Sequence, residues 1–118
     1  MHKSWVKAIG VMLTLCALPT YAQDADTVAD VRCLVVGLKM MQLSDASMQK
    51  AGYISFMYYV GRLDGRTPSL DIEQSIIREL DHMTAPEFSA EAVRCGGGLT
   101  KKGEQLQRIG KDLADHGR

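Results

Sequence analysis

Apolar residues recur along this chain at intervals of three and four, the spacing of one face of a helix. Val28, Val31, Val35 and Leu38 form one stripe, and Cys33, Val36, Met40 and Leu43 form a second. Two stripes on one segment mean burial on more than one side, so a central helix is predicted over about 28–43. Thr27, with Asp30 three residues on, reads as its capping box, and Arg32 and Lys39 as its solvated strip.

A second helix is predicted from about Ala46 to Asp64, with Tyr53, Phe56, Met57, Val60 and Leu63 as its apolar face. Gly52 and Gly61 each cost about 1 kcal/mol relative to Ala inside a helix, a cost that close approach of another backbone can offset. Gly65 is placed to end this helix, and Pro68 prevents its continuation. Pro68 also suits the first turn of a third helix over about 69–82, whose face is Ile72, Ile76, Ile77, Leu80 and Met83.

Thr84 and Glu87 form a further capping box immediately before Phe88. From there positions 88, 92, 95, 99, 102, 106, 109 and 113 step alternately by four and three, and only Lys102 among them is charged. Gly96-Gly97-Gly98 cuts across that seam. Three glycines cost about 3 kcal/mol of helix propensity, so a kink or short break is expected between helices near 85–95 and 99–114. No segment alternates with a period of two between turn residues. The fold class is all-α: a small four- to five-helix bundle or orthogonal helical array.

The first 22 residues follow a different pattern. Lys3 and Lys7 precede an apolar run from Ala8 to Leu18, and Pro19-Thr20-Tyr21-Ala22 leads into the polar Gln23-Asp24. This is the layout of a secretory signal peptide, with cleavage expected between Ala22 and Gln23. The run is shorter than the roughly 20 residues of a membrane span. The exported product is then a single domain, 23–118, periplasmic or secreted, with no stable membrane insertion after cleavage.

This division changes the composition. The whole chain of 118 residues balances 14 basic against 14 acidic groups. Without Lys3 and Lys7 the remainder carries a net charge of −2, divided between −5 over 23–93 and +3 over 94–118. Pairing between the acidic body and the basic tail is the expected outcome, with a basic face toward an anionic partner as the alternative. Near-neutrality argues against nucleic acid as a partner. Cys16 leaves with the leader, so two cysteines remain, Cys33 and Cys95. An even number in an exported domain points to one disulfide joining the first helix to the last region. Closing a loop of about 60 residues restricts the unfolded chain by roughly 4 kcal/mol on the chain-entropy model.

Candidate chemistry is sparse. His82 lies in a last helical turn and His116 in the tail, neither beside a nucleophile or a metal-ligand neighbour at useful spacing. Met40 or Met41 with His116 could bracket a haem, but no Cys-x-x-Cys-His attachment site is present. No enzyme activity, metal or cofactor is therefore expected. The glycine triplet followed by Lys101-Lys102 resembles a phosphate cradle, although no strand precedes it. The densest feature is 51–66, where Tyr58, Tyr59, Arg62 and Arg66 form a possible surface for a protein or small-ligand partner. The oligomeric state is open.

Two resemblances attach to these residues. Cys33 early and Cys95 late, the aromatic helix 51–65, the Thr84-Ala85-Pro86 opening and the polar end Gly110-Lys111-Asp112-Leu113 resemble the acid-activated periplasmic chaperones of the Hde type. The triple glycine and the longer Cys–Cys spacing depart from that type. The signature Tyr-Tyr-x-Gly-Arg-x-Asp-Gly-Arg, here Tyr58 to Arg66, is similar to that of uncharacterised small secreted two-cysteine helical proteins of alphaproteobacteria, a group that implies no activity. The first resemblance implies an acid-stress chaperone. The residues themselves favour a non-enzymatic binding or interaction module.

Overall fold

Each helix starts at a side chain that replaces a missing backbone partner. In the computed structural model, which describes residues 24–117, Asp24, Asp45, Asp71 and Thr84 cap four helices. They are α1 (Ala25–Met41), α2 (Ala46–Arg66), α3 (Ile72–His82) and α4 (Ala85–His116). Each cap accepts a hydrogen bond from an amide of the first turn, which would otherwise have no acceptor. The fold is all-α, without strands among the described residues. The signal segment, its Ala22–Gln23 junction and Cys16 lie outside them.

Several boundaries differ from expectation. Helix α1 begins at Ala25 under Asp24, so Thr27 and Asp30 are not its capping box; both are buried within the helix. Helix α2 runs through Gly65 to Arg66 and stops at Thr67, because Pro68 cannot continue it. Helix α3 starts at Ile72 rather than 69, since Asp71 supplies the cap and Pro68 lies outside the first turn. The Thr84–Glu87 capping box is present in full, as the sequence indicated.

The largest correction concerns the glycine triplet. Helix α4 is unbroken for 32 residues, and none of its glycines has the positive φ that a turn would use. Tertiary contacts hold the segment in helix. Cys95, just before the triplet, is bonded to Cys33, and its carbonyl accepts a hydrogen bond from the Tyr59 hydroxyl at 3.0 Å. A Cβ on Gly98 would sit 3.0 Å from that hydroxyl, so at this position the absent side chain makes room for the contact.

Helix α1 is central, as its two stripes predicted. Val31, Cys33, Leu34 and Val36 meet Tyr59 and Leu63 of α2 and Cys95 of α4 in the core, with Ile72, Ile76, Phe88 and Ala92 packed around them. Gly52 permits a close approach: a Cβ there would lie 2.7 Å from the Gly37 carbonyl oxygen, and one on Gly37 would lie 2.9 Å from that of Gly52. Gly61 faces open space and has no such role.

The predicted faces of α2 and α3 hold in part: Leu63 is in the core and Phe56, Val60, Ile72 and Ile76 pack against it, but other members of each face are turned outward. Helix α2 buries Gly52, Ser55, Tyr59 and Leu63, leaving Tyr53, Ile54 and Met57 exposed. Helix α3 buries Ser75 and Glu79, while Ile77 and Leu80 are exposed. On α2 the small Gly52 and Ser55 share the inner face with Tyr59 and Leu63, and on α3 Ser75 and the Glu79–Arg32 ion pair occupy it. The Cys33–Cys95 disulfide fastens α1 to α4 across 62 positions of sequence.

Candidate functional site

Ion pairs surround α1 and set the stage for the site. Asp30 is buried and accepts hydrogen bonds from Arg62 Nε at 2.9 Å and Arg66 Nη2 at 2.8 Å. Arg32, expected on a solvated strip, instead donates to Glu79 of α3 at 2.9 Å and pairs with Glu91 of α4 at 3.5 Å. The hydrogen bond to Glu79 holds the Arg32 guanidinium above its ordinary pKa. Arg94 pairs with Glu91, donates to the Ala29 carbonyl at 2.6 Å, and lies 3.2 Å from Cys33 Sγ. Helix α1 is therefore joined to its three neighbours by charge as well as by apolar packing.

The four residues marked as a possible partner surface divide between core and surface. Tyr59 is 3% exposed and donates its hydroxyl inward to Cys95, so it faces the core. Burial pushes its phenol pKa up. Arg66 is anchored to Asp30. Tyr58 and Arg62 remain accessible and are tied together. Arg62 Nη1 donates to the Tyr58 hydroxyl at 3.4 Å, and the guanidinium carbon lies 5.8 Å from the Tyr58 and Tyr59 ring centres. That hydrogen bond, with the one to Asp30, raises the Arg62 pKa. The two tyrosine rings meet edge to face at 4.9 Å.

Tyr58 and Arg62 form one wall of a cleft of about 380 Å³ whose other wall is α4: Gly98, Lys101, Lys102, Gln105 and Arg108. Two separate sequence features, the aromatic–arginine segment and the Gly-Gly-Gly-Leu-Thr-Lys-Lys run, meet here. The cleft is lined by four cations and no carboxylate. Among the described residues, Lys101, Lys102 and Arg108 form no ion pair within 4 Å, and Lys102 donates to Gln105. The expected pairing of acidic body with basic tail thus reduces to Arg94–Glu91, three positions apart on one helix. Gln105 and Arg108 escaped the sequence reading. Their spacing from Lys101, four and seven, places all three on one side of a helix and was the available signal.

A second concavity, about 920 Å³, is apolar and lies where α1 ends, between the start of α2 and the α3–α4 junction. Val35, Met40, Leu43, Met48, Met83 and Phe88 line it. Among the described residues no group of three or more His, Cys, Asp or Glu could hold a metal ion. No described helix is long and apolar enough to cross a membrane. Comparison of the chain with protein-family models, curated proteins and solved structures gives no significant match.

Proposed function

We propose that the chain is a non-enzymatic binding module, exported to the periplasm or the medium, that holds an anionic group in the cleft between α2 and α4. The observation that carries this reading is the uncompensated charge of Lys101, Lys102 and Arg108 in a cleft without a carboxylate. Arg62 is already fixed by Asp30 and Tyr58, so it offers a preoriented donor edge rather than a free side chain. Clustered cations on a low-dielectric wall attract multivalent anions most strongly, and salt screens that attraction. The guanidinium groups suit a phosphate-like ligand, whose oxygens accept in forked geometry.

Isothermal titration with inorganic phosphate and pyrophosphate at low ionic strength tests the cleft. Pyrophosphate is expected to bind more tightly, and binding should weaken with added salt. The triple variant Lys101→Gln, Lys102→Gln, Arg108→Gln should lose it with helical content unchanged. Equal binding by that variant, or none by the native protein, rejects the reading. Export is tested separately by N-terminal sequencing of the fractionated product. Gln23 is the expected first residue, and retention of the leader on a cytosolic chain counts against export.

The acid-stress chaperone is a second reading, and a specific observation favours it. Carboxylates Asp30, Glu79 and Glu91 hold α1 to its neighbours, and the apolar concavity lies beside that framework. Acid strong enough to protonate the chain's carboxylates would neutralise these pairs and leave the domain strongly positive. The expected result at about pH 2–3 is loosened packing with suppression of client aggregation. A compact protein that leaves clients to aggregate there refutes it.

A further inference from the structure

The outer half of α4 carries a repeat that the fold does not use. Leu99, Leu106 and Leu113 are spaced by seven, and so are Gly96, Gly103, Gly110 and Gly117. The two series interleave by three and four, which places them along one seam of the helix. Toward the start of α4 that seam is occupied, because Phe88, Ala92 and Cys95 pack in the core. Beyond residue 103 it is bare. Leu106 is 60% exposed, Ile109 46% and Leu113 69%, and nothing lies within 4 Å of where a Cβ on Gly103 or Gly110 would be.

Every residue from 104 to 116 is exposed. This stretch of α4 is held by helix propensity alone, which Gly110 lowers. A partner helix along the seam would supply the missing burial.

We propose that this partner is the same segment of a second copy, packed antiparallel about a two-fold axis level with Arg108. Shape and register select this pairing. In an antiparallel pair, each large residue of one series falls opposite a small residue of the other. Here the dyad sets Leu106 on Gly110 of the second copy and Leu113 on its Gly103, and the reciprocal contacts follow by symmetry. Leucine knobs thus enter glycine notches, allowing the close backbone approach that small residues permit. Flanking the axis, Ile109 meets Ile109 and Gln107 meets Gln107, while Thr100 faces Ala114; none of these carries a charge. Lys102 opposite His116, at the outer ends, is the one meeting of basic groups.

Arg108 lies about 160° around the helix from Leu106 at 100° per residue. Pairing along the seam therefore leaves Arg108 of each basic cleft facing outward, whereas Lys102 borders both the cleft and the outer end of the seam. This inference does not depend on anion binding.

Sedimentation equilibrium of the full chain over a range of concentrations tests it. The native protein should show a monomer–dimer equilibrium. Leu106→Glu places a charge against a glycine backbone and should abolish dimers. Gly110→Val fills the notch and should weaken dimerisation about tenfold or more, equivalent to 1.4 kcal/mol or more. Ile77→Glu, on the exposed side of α3, should leave it unchanged. Circular dichroism of all three should match that of the native chain at concentrations where the native chain is monomeric. A native chain monomeric to ~0.5 mM, or dimers indifferent to both seam variants, overturns the proposal.

Discussion

Helix α4 is one helix with two environments. Its first half delivers Phe88, Ala92 and Cys95 to the core and is bonded to α1 through sulfur. Its second half continues the same three–four apolar spacing, yet Leu106, Ile109 and Leu113 face water. The cations divide similarly. Arg32, Arg62 and Arg66 are committed to carboxylates, whereas Lys101, Lys102 and Arg108 are not. Identical residue types thus act as structure where α1 is within reach and as available surface where it is not. Periodicity reports that a helix has an apolar face; it does not report what covers that face.

Stability measurements should separate the two regions, and the largest effect belongs to the disulfide. Replacing Cys33 and Cys95 together by Ser removes a cross-link spanning 62 positions and should cost about 4 kcal/mol in urea unfolding. A loss below about 1 kcal/mol would mean that packing alone joins the halves. Next is Gly52→Ala, which forces a Cβ to within 2.7 Å of the Gly37 carbonyl and of Met40 Cβ. Neither backbone can yield cheaply, so a loss of about 3 kcal/mol is expected. The contrast is Gly97→Ala, which meets nothing within 4 Å and should stabilise by about 0.5–1 kcal/mol, visible as a higher melting temperature. Equal effects at the two glycines would erase the distinction between packed and bare helix.

Asp30→Asn tests the charged framework. It leaves two arginines facing a neutral amide, but both are partly exposed and can turn toward water. A loss of about 2 kcal/mol is expected, less than for a fully buried pair. The smallest effect is acid fraying at the caps. Backbone hydrogen bonds from Thr27 to Asp24 and from Thr84 to Glu87, and the Ser47 hydroxyl on Asp45, hold these three carboxyls below their ordinary values. A depressed folded value means that the stabilisation is present above the unfolded carboxylate range and is lost as pH falls through the folded value. Amide exchange in the first turns of α1, α2 and α4 should accelerate below about pH 4, before the core around Leu34 opens. Simultaneous opening would show that the caps and core are one cooperative unit.

Much of the fold was legible because its signals are local. The central position of α1 followed from its two stripes, the Thr84–Glu87 box from its spacing, and the pairing of Cys33 with Cys95 from an even count. The close approach at Gly52 was also anticipated. What failed was what depends on neighbours. Three glycines predicted a break on propensity, but the disulfide and the Tyr59 hydroxyl bond to Cys95 hold that stretch in helix. The outward turn of Tyr53 and Met57 could not be read from their period, because Gly52 and Ser55 at the α1 contact take the inner face for reasons of size. Half of the cleft was legible as well: Tyr58 and Arg62 were singled out, as were Lys101 and Lys102. Their meeting was not, since they belong to different helices.

The sequence by itself determined the helical class, three of the four segments closely, the sulfur pairing and the unequal distribution of charge. Each of these is written in spacing or composition within a short stretch of chain. Only the tertiary structure decided which glycines are contacts, which arginines are committed and which half of the α4 seam is covered. Those outcomes depend on distances between residues tens of positions apart, and sub-ångström sterics at Gly37 and Gly52 choose among faces that hydrophobicity alone leaves equivalent.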